Sequence, residues 1–140
     1  MSSGLPVRKV EVNAETQEFW DATTRQTLLL RRCDACAAVI WYPRAFCPMC
    51  QSMETSWFAS SGRGSVYSFS ITRKGSGAWA AAAPYVIAYV ELEEGPRVLT
   101  NIVGCAVDEV HVGMAVTVAF DPVIDETGTE TMAMYRFGPA

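Results

Sequence analysis

Two cysteine knuckles separated by ten residues, Cys33-x2-Cys36 and Cys47-x2-Cys50, constrain this chain more than any other feature. A CxxC turn brings two sulfurs to one side of an ion, and two such turns close a tetrahedron of soft ligands at about 2.3 Å. The expectation is one structural zinc ion (Zn2+) held by Cys33, Cys36, Cys47 and Cys50. With four thiolates bound, no position stays open for water, so the metal is not a catalyst. Two disulfides are the alternative in an oxidising compartment. The N-terminus, Met1-Ser2-Ser3-Gly4-Leu5-Pro6, has neither the charged start nor the apolar run of a secretory signal, so a soluble cytoplasmic protein is expected. A four-thiolate iron site uses the same ligands, and sequence alone does not separate the two metals.

Around the knuckles the pattern is mostly strand. Asn13 to Thr24 predicts a short helix, capped by Asn13, with Glu15 and Glu18 near its positive end and Phe19 and Trp20 on its apolar face. Leu28 to Arg32 reads as a strand entering the first knuckle, Val39 to Tyr42 as one leaving it, and Thr55 to Phe58 as a third. Pro43 ends the second, because proline cannot donate to a ladder. Beyond Gly62 five further runs alternate with turn residues: Ser65–Ile71, Tyr85–Leu92, Val98–Val103, Val116–Phe120 and Met132–Phe137. Five short antiparallel strands predict a small, partly open barrel of OB type. The division expected is a helix and ribbon over residues 13–60 and a barrel over 61–140.

Several function classes recede on composition. The net charge is −4, opposite to the basic field of most nucleic-acid binders. No apolar run approaches the ~20 residues of a membrane span. Cys105 stands alone, and the lone histidine, His111, follows it six residues later with no third partner in view. Cysteine is among the most buried residue types, so Cys105 reads as core at a strand end and His111 as a polar turn residue. No catalytic residue is assigned. The loop opening on Arg73 and Lys74 and running through Trp79 to Pro84 is the candidate for binding a ligand or a partner: two cations for an anionic group, and a tryptophan for an apolar one. Arg31, Arg32 and Arg44 form a second small basic group that reads as surface. Tyr67, Phe69, Tyr85 and Tyr89 alternate along the first two barrel strands, where they are expected to fill the barrel or an adjoining interface.

The order of these parts resembles a known family. Phe19-Trp20, the Cys-x2-Cys-x10-Cys-x2-Cys spacing, Pro43-Arg44, Gly64 to Phe69, Pro84 to Leu92, Asn101 to Gly104 and Val112-Gly113-Met114 carry the resemblance. It is to the zinc-ribbon/OB-fold acyl-CoA-associated proteins, long known as a domain of unknown function, and spans about Glu15 to Phe137. The resemblance implies a mainly β fold: an N-terminal helix, a rubredoxin-like zinc ribbon and a five-stranded OB-fold barrel. The family's ribbon ligands fall on the same four cysteines, and the alanine-rich loop from Arg73 to Pro84 is individual to this chain. Members accompany thiolase-like enzymes acting on acyl-CoA, among them acyltransferases, hydroxymethylglutaryl-CoA synthases and steroid side-chain retro-aldolases, and some are joined to hydratase-like domains. The implied function is that of a non-catalytic zinc subunit in a hetero-oligomer with such an enzyme. An acyl-CoA carrier or sensor, with Arg73 and Lys74 on the phosphates, is the alternative. A single-strand nucleic-acid module is the weaker one.

Overall fold

The computed structural model describes residues 2–140, and most of its regular structure is strand. A single helix, α1 (Gln17–Thr23), precedes three ribbon strands, β1 (Leu29–Cys33), β2 (Val39–Ile40) and β3 (Thr55–Ala59). Five longer strands follow: β4 (Arg63–Thr72), β5 (Tyr85–Leu92), β6 (Arg97–Ile102), β7 (Ala115–Ile124) and β8 (Glu130–Pro139). The ribbon sheet runs β2-β1-β3, and the other five close a barrel in the order β4-β5-β6-β8-β7.

Closure corrects the expectation of a partly open barrel. β4 pairs with β7 over Arg63–Ser65, and β6 meets β8 in parallel where Ile102 faces Phe137. That last seam is short, with the Val103 amide donating to the Phe137 carbonyl at 2.8 Å. The interior is made largely of small branched residues because successive side chains of a strand point to opposite faces. Val86, Ala88, Val90 and Leu92 of β5 are buried, together with Val66, Val98, Val116 and Phe137. Gly64 lies against the Glu91 carbonyl, where any Cβ would collide, so β4 can bend closely over β5 only with glycine there.

The alternation also turns two aromatics outward. Tyr67 and Tyr89 are 47% and 46% exposed, so of the two expected places they take the outer face and not the barrel interior, while Phe69 and Tyr85 are half-buried. Tyr67 sits at the bulge between Val66 and Ser68, which shifts the register by one residue.

Helix α1 is shorter than expected, and Asn13 does not cap it. The Asn13 side-chain oxygen accepts from the Glu15 and Thr16 amides at 3.0 and 3.1 Å, closing a turn ahead of the helix. Glu15 therefore lies outside the helix and accepts from the Ala45 amide at 2.6 Å, tying this turn to the ribbon. Strand β2 likewise stops at Ile40, because Trp41 and Tyr42 leave the ladder to meet the helix. Fully buried Phe19 makes edge contacts with Trp20, Trp41, Tyr42 and Tyr135, with centroids 4.9 to 6.0 Å apart. The Trp20 indole donates to the Tyr42 hydroxyl at 3.0 Å, and the Ala133 amide donates to Thr23 Oγ1 at 2.9 Å. The helix thus joins the ribbon to β8, and the main core runs from Leu28 and Leu30 of the ribbon side into the barrel. Phe19→Ala is expected to cost about 3–5 kcal/mol in urea unfolding, the range for emptying a buried aromatic site. A cost near that of a surface substitution would mean the joint is not structural.

Tyr135 reports on the same joint. Burial first, then neighbouring Tyr42, pushes its phenol up to about 12, against a smaller opposing effect of Arg136. A raised folded-state value contributes stability below the ordinary tyrosine value near 10 and loses it as pH climbs through about 12. Ultraviolet titration should therefore show Tyr135 ionising late, and Tyr135→Phe should lessen the alkaline loss of stability over that window. Among the described residues no helix is long and apolar enough to cross a membrane.

Candidate metal centre and outer barrel face

The first knuckle is built at the end of β1 and the second between β2 and β3. Each repeats one hydrogen-bond pattern. Cys33 N donates to Ala38 O at 2.8 Å and Ala37 N to Cys33 O at 2.9 Å; Cys47 N donates to Ser52 O at 2.9 Å and Gln51 N to Cys47 O at 2.8 Å. The residue after each knuckle, Ala37 or Gln51, is left-handed with φ 65°, so a non-glycine residue carries local strain at both turns. That pairing turns each loop back on itself and aims its sulfurs inward.

The four Sγ atoms lie within 4.8 Å of one another. Cys33 and Cys50 sulfurs are 3.5 Å apart, and those of Cys36 and Cys47 are 3.7 Å apart. The edge of a tetrahedron drawn by sulfurs around zinc is about 3.8 Å, so the cage has the right size. Amides also point at sulfur, from Cys36 to Cys33 and from Met49 to Cys47, each at 3.4 Å. All five cysteines are free thiols. Without a cation the cluster cannot shed every proton. Burial works to raise the Cys47 thiol, yet the amides of Cys50 and Met49 and the nearby thiols bring it down to about 7. The Ser52 amide lowers the Cys50 thiol, but the other sulfurs and burial carry it to about 12. One proton easily lost beside one tightly held is what a divalent ion resolves. The donor set fits zinc.

The remaining candidates scatter. Arg31 and Arg32 lie over the rings of Trp57 and Phe58, at 4.5 and 4.2 Å to the centroids, and so cover the ribbon. Arg73 reaches Asp108 at 3.6 Å with both side chains mostly exposed. Lys74, beside it, is exposed. Trp79 folds back onto Tyr85, with ring centroids 4.7 Å apart. Burial, then the charge of Glu109, raises the Cys105 thiol, the opposite of what a nucleophile needs. His111 places Nδ1 3.1 Å from the Glu109 carbonyl and is exposed.

A polar group missed by sequence reasoning lies on the outside of the barrel. Arg136 pairs in register with Ala119, on the face opposite to core residue Phe137, yet it is only 5% exposed. Its Nε donates to Asp121 Oδ2 at 3.1 Å, Nη1 to Asn101 Oδ1 at 2.7 Å and Nη2 to the Pro6 carbonyl at 2.7 Å. Ser3 donates its amide to Asp121 Oδ1 at 2.7 Å, so the segment from Ser3 to Pro6 is fastened over the ion pair. The available signal was a cation within the apolar run Met132–Phe137 and an aspartate directly after Phe120. Each is out of place unless partnered.

A helix, a four-cysteine ribbon and a closed five-stranded barrel sharing one core define the class of rubredoxin-like zinc ribbons fused to OB-folds. The chain belongs to the ChsH2, or DUF35, family. The profile described as "ChsH2, rubredoxin-like zinc ribbon domain" matches residues 20–54, and that described as "ChsH2, C-terminal OB-fold domain" matches 57–121. A "DUF35 domain-containing scaffold protein" of Methanocaldococcus jannaschii is 36% identical over 81% of this chain and 80% of its own length. A "Probable enoyl-CoA hydratase alpha subunit" of Thermomonospora curvata is 35% identical over 75% of this chain, which spans only 33% of that longer protein. Among solved structures, a chain of the "Ltp2-ChsH2(DUF35) aldolase" superposes with TM-score 0.78 at 30% identity, covering 94% of this chain and 98% of that one.

Proposed function

We propose that this chain is a non-catalytic scaffold subunit that binds a thiolase-fold enzyme acting on acyl-CoA and supports its assembly or active site. Cys33, Cys36, Cys47 and Cys50 hold one zinc ion that fixes the ribbon, and the Arg73–Trp79 loop lies at the partner or ligand surface. The observation that carries the reading is the outer barrel sheet. Tyr89 and Leu99 face each other across β5 and β6, Ile87 lies beside them, and all three are between 39% and 52% exposed. Neighbouring exposed apolar side chains support the reading of this face as a partner surface. Support also comes from the near full-length likeness to relatives named as scaffolds, and from the names of hydratase and aldolase subunits among the others.

Co-purification of the tagged chain from its native host tests this. A thiolase-fold enzyme in near-equal amount is expected, and Tyr89→Glu should release it while zinc content and fold persist. Arrival of the zinc-loaded chain alone would sink the proposal.

A further inference from the structure

A cavity of about 280 Å³ opens on the outer barrel face, walled by Trp79, Tyr85, Ile87, Leu99 and Met134, with Arg136 and Asn101 at its base. The polar base is unusual for its surplus of donors. A guanidinium carries five N–H groups, and among the described residues three of those of Arg136 have acceptors: Asp121, Asn101 and Pro6. The Asn101 amide gives one N–H to the Val86 carbonyl at 2.8 Å, while its oxygen takes a guanidinium N–H. Two N–H groups of Arg136 and one of Asn101 thus have no acceptor among the described residues. Each of these nitrogens already has one partner, and the remaining N–H groups are spare donors on residues that line the cavity. The guanidinium carbon lies 5.9 Å from the Trp79 ring centroid, so an aromatic wall stands beside the donors.

We propose that this cavity is a binding site for a small neutral compound carrying a carbonyl oxygen on a flat apolar group. The oxygen accepts from Arg136 and Asn101, and the apolar group lies against Trp79 and Leu99. Charge decides against an anion. Asp121 already neutralises Arg136 at 3.1 Å, with both side chains 6% exposed or less, so a carboxylate would enter beside an existing negative charge. Ile87 and Leu99 line both this cavity and the face proposed for the partner, so the site is tested on the free chain and does not rest on the partner reading.

Three probes of one shape test the proposal on the zinc-loaded chain: acetophenone, its hydrocarbon analogue cumene, and benzoate. Each is titrated while the Trp79 indole resonance is followed. Acetophenone should bind saturably and about tenfold more tightly than cumene, the value of one or two well-made hydrogen bonds, and benzoate should bind more weakly than acetophenone. Arg136→Lys keeps the charge on Asp121 but removes the forked donors, and should abolish the preference for acetophenone over cumene. Because Arg136 is buried, a second variant acts from an exposed position: Leu99→Trp fills the mouth and should remove binding with folding unchanged. No saturable shift at the solubility limit, equal binding of cumene, tighter binding of benzoate, or acetophenone binding that survives Leu99→Trp would each overturn the assignment.

Discussion

Cys47→Ser is expected to lower zinc from one ion per chain to almost none and to unfold the ribbon, as read by metal analysis and thermal denaturation. Cys47 is fully buried and packs with Cys33 and Ile40 in a small cluster separate from the main core. That cluster has almost no apolar area to spare, so the ion is the principal source of its stability. Apparent zinc binding energies of structural sites run at roughly 10–16 kcal/mol, as large as the whole stability of an ordinary domain at about 5–15 kcal/mol. The main core reaches the ribbon through Leu28 and Leu30 but is made mostly of barrel residues, so the barrel's strand signal should outlast the ribbon. The environment of Trp41 and Tyr42 should change with the ribbon, because both rings pack on α1. Acid should act in the same direction. The free cluster holds more protons than the metal-bound one, with Cys50 retaining its proton up to about 12, so zinc affinity falls as pH falls. Retention of a stoichiometric zinc by Cys47→Ser would refute this account of the site.

Asp121→Ala should destabilise the protein by about 3–5 kcal/mol, the cost of leaving one member of a buried ion pair alone. Arg136 and Asp121 are 5% and 3% exposed, and the carboxylate also takes the Ser3 amide. Removing it leaves a buried cation and frees the N-terminal segment, which should then become sensitive to protease. The double substitution Asp121→Leu with Arg136→Met removes both charges together. It should cost less than Asp121→Ala alone, although Asn101 and the Pro6 carbonyl lose a partner. Urea unfolding of the two singles and the double closes the cycle. A single-variant cost under about 1 kcal/mol, as for surface pairs, would show that the pair is open to water.

The metal centre was legible because its spacing is local: both knuckles and the hairpins that present them lie within one short stretch. The barrel strands were legible where alternation is unbroken, as from Tyr85 to Leu92. β7 and β8 proved longer than the runs Val116–Phe120 and Met132–Phe137. Asp121-Pro122 and Gly138 interrupt the apolar pattern there but continue in the ladder, Pro122 opposite Ala133 and Gly138 opposite Thr117. Tyr67 turns outward by alternation with buried Val66, whereas the bulge there, which shifts the register of the residues that follow, is something no period reveals. The Arg136 network was hidden for a different reason. Its members Pro6, Asn101, Asp121 and Arg136 come from distant parts of the chain, and only strand pairing brings them together.

The helix that joins ribbon to barrel has a consequence for how the chain is made. Sulfur partners in the ribbon are at most 17 positions apart in the two close pairs, whereas Thr23 meets Ala133 across 110 and Pro6 meets Arg136 across 130. On a ribosome the cysteines emerge early and can capture an ion while the barrel is still unsynthesised. Helix α1, with Phe19 and Trp20 uncovered, must wait for β8, which follows the other barrel strands in sequence. Metal loading is thus a local event and docking of the helix a final one, so a nascent chain stalled before residue 130 would carry its zinc on a ribbon whose aromatic side is still bare.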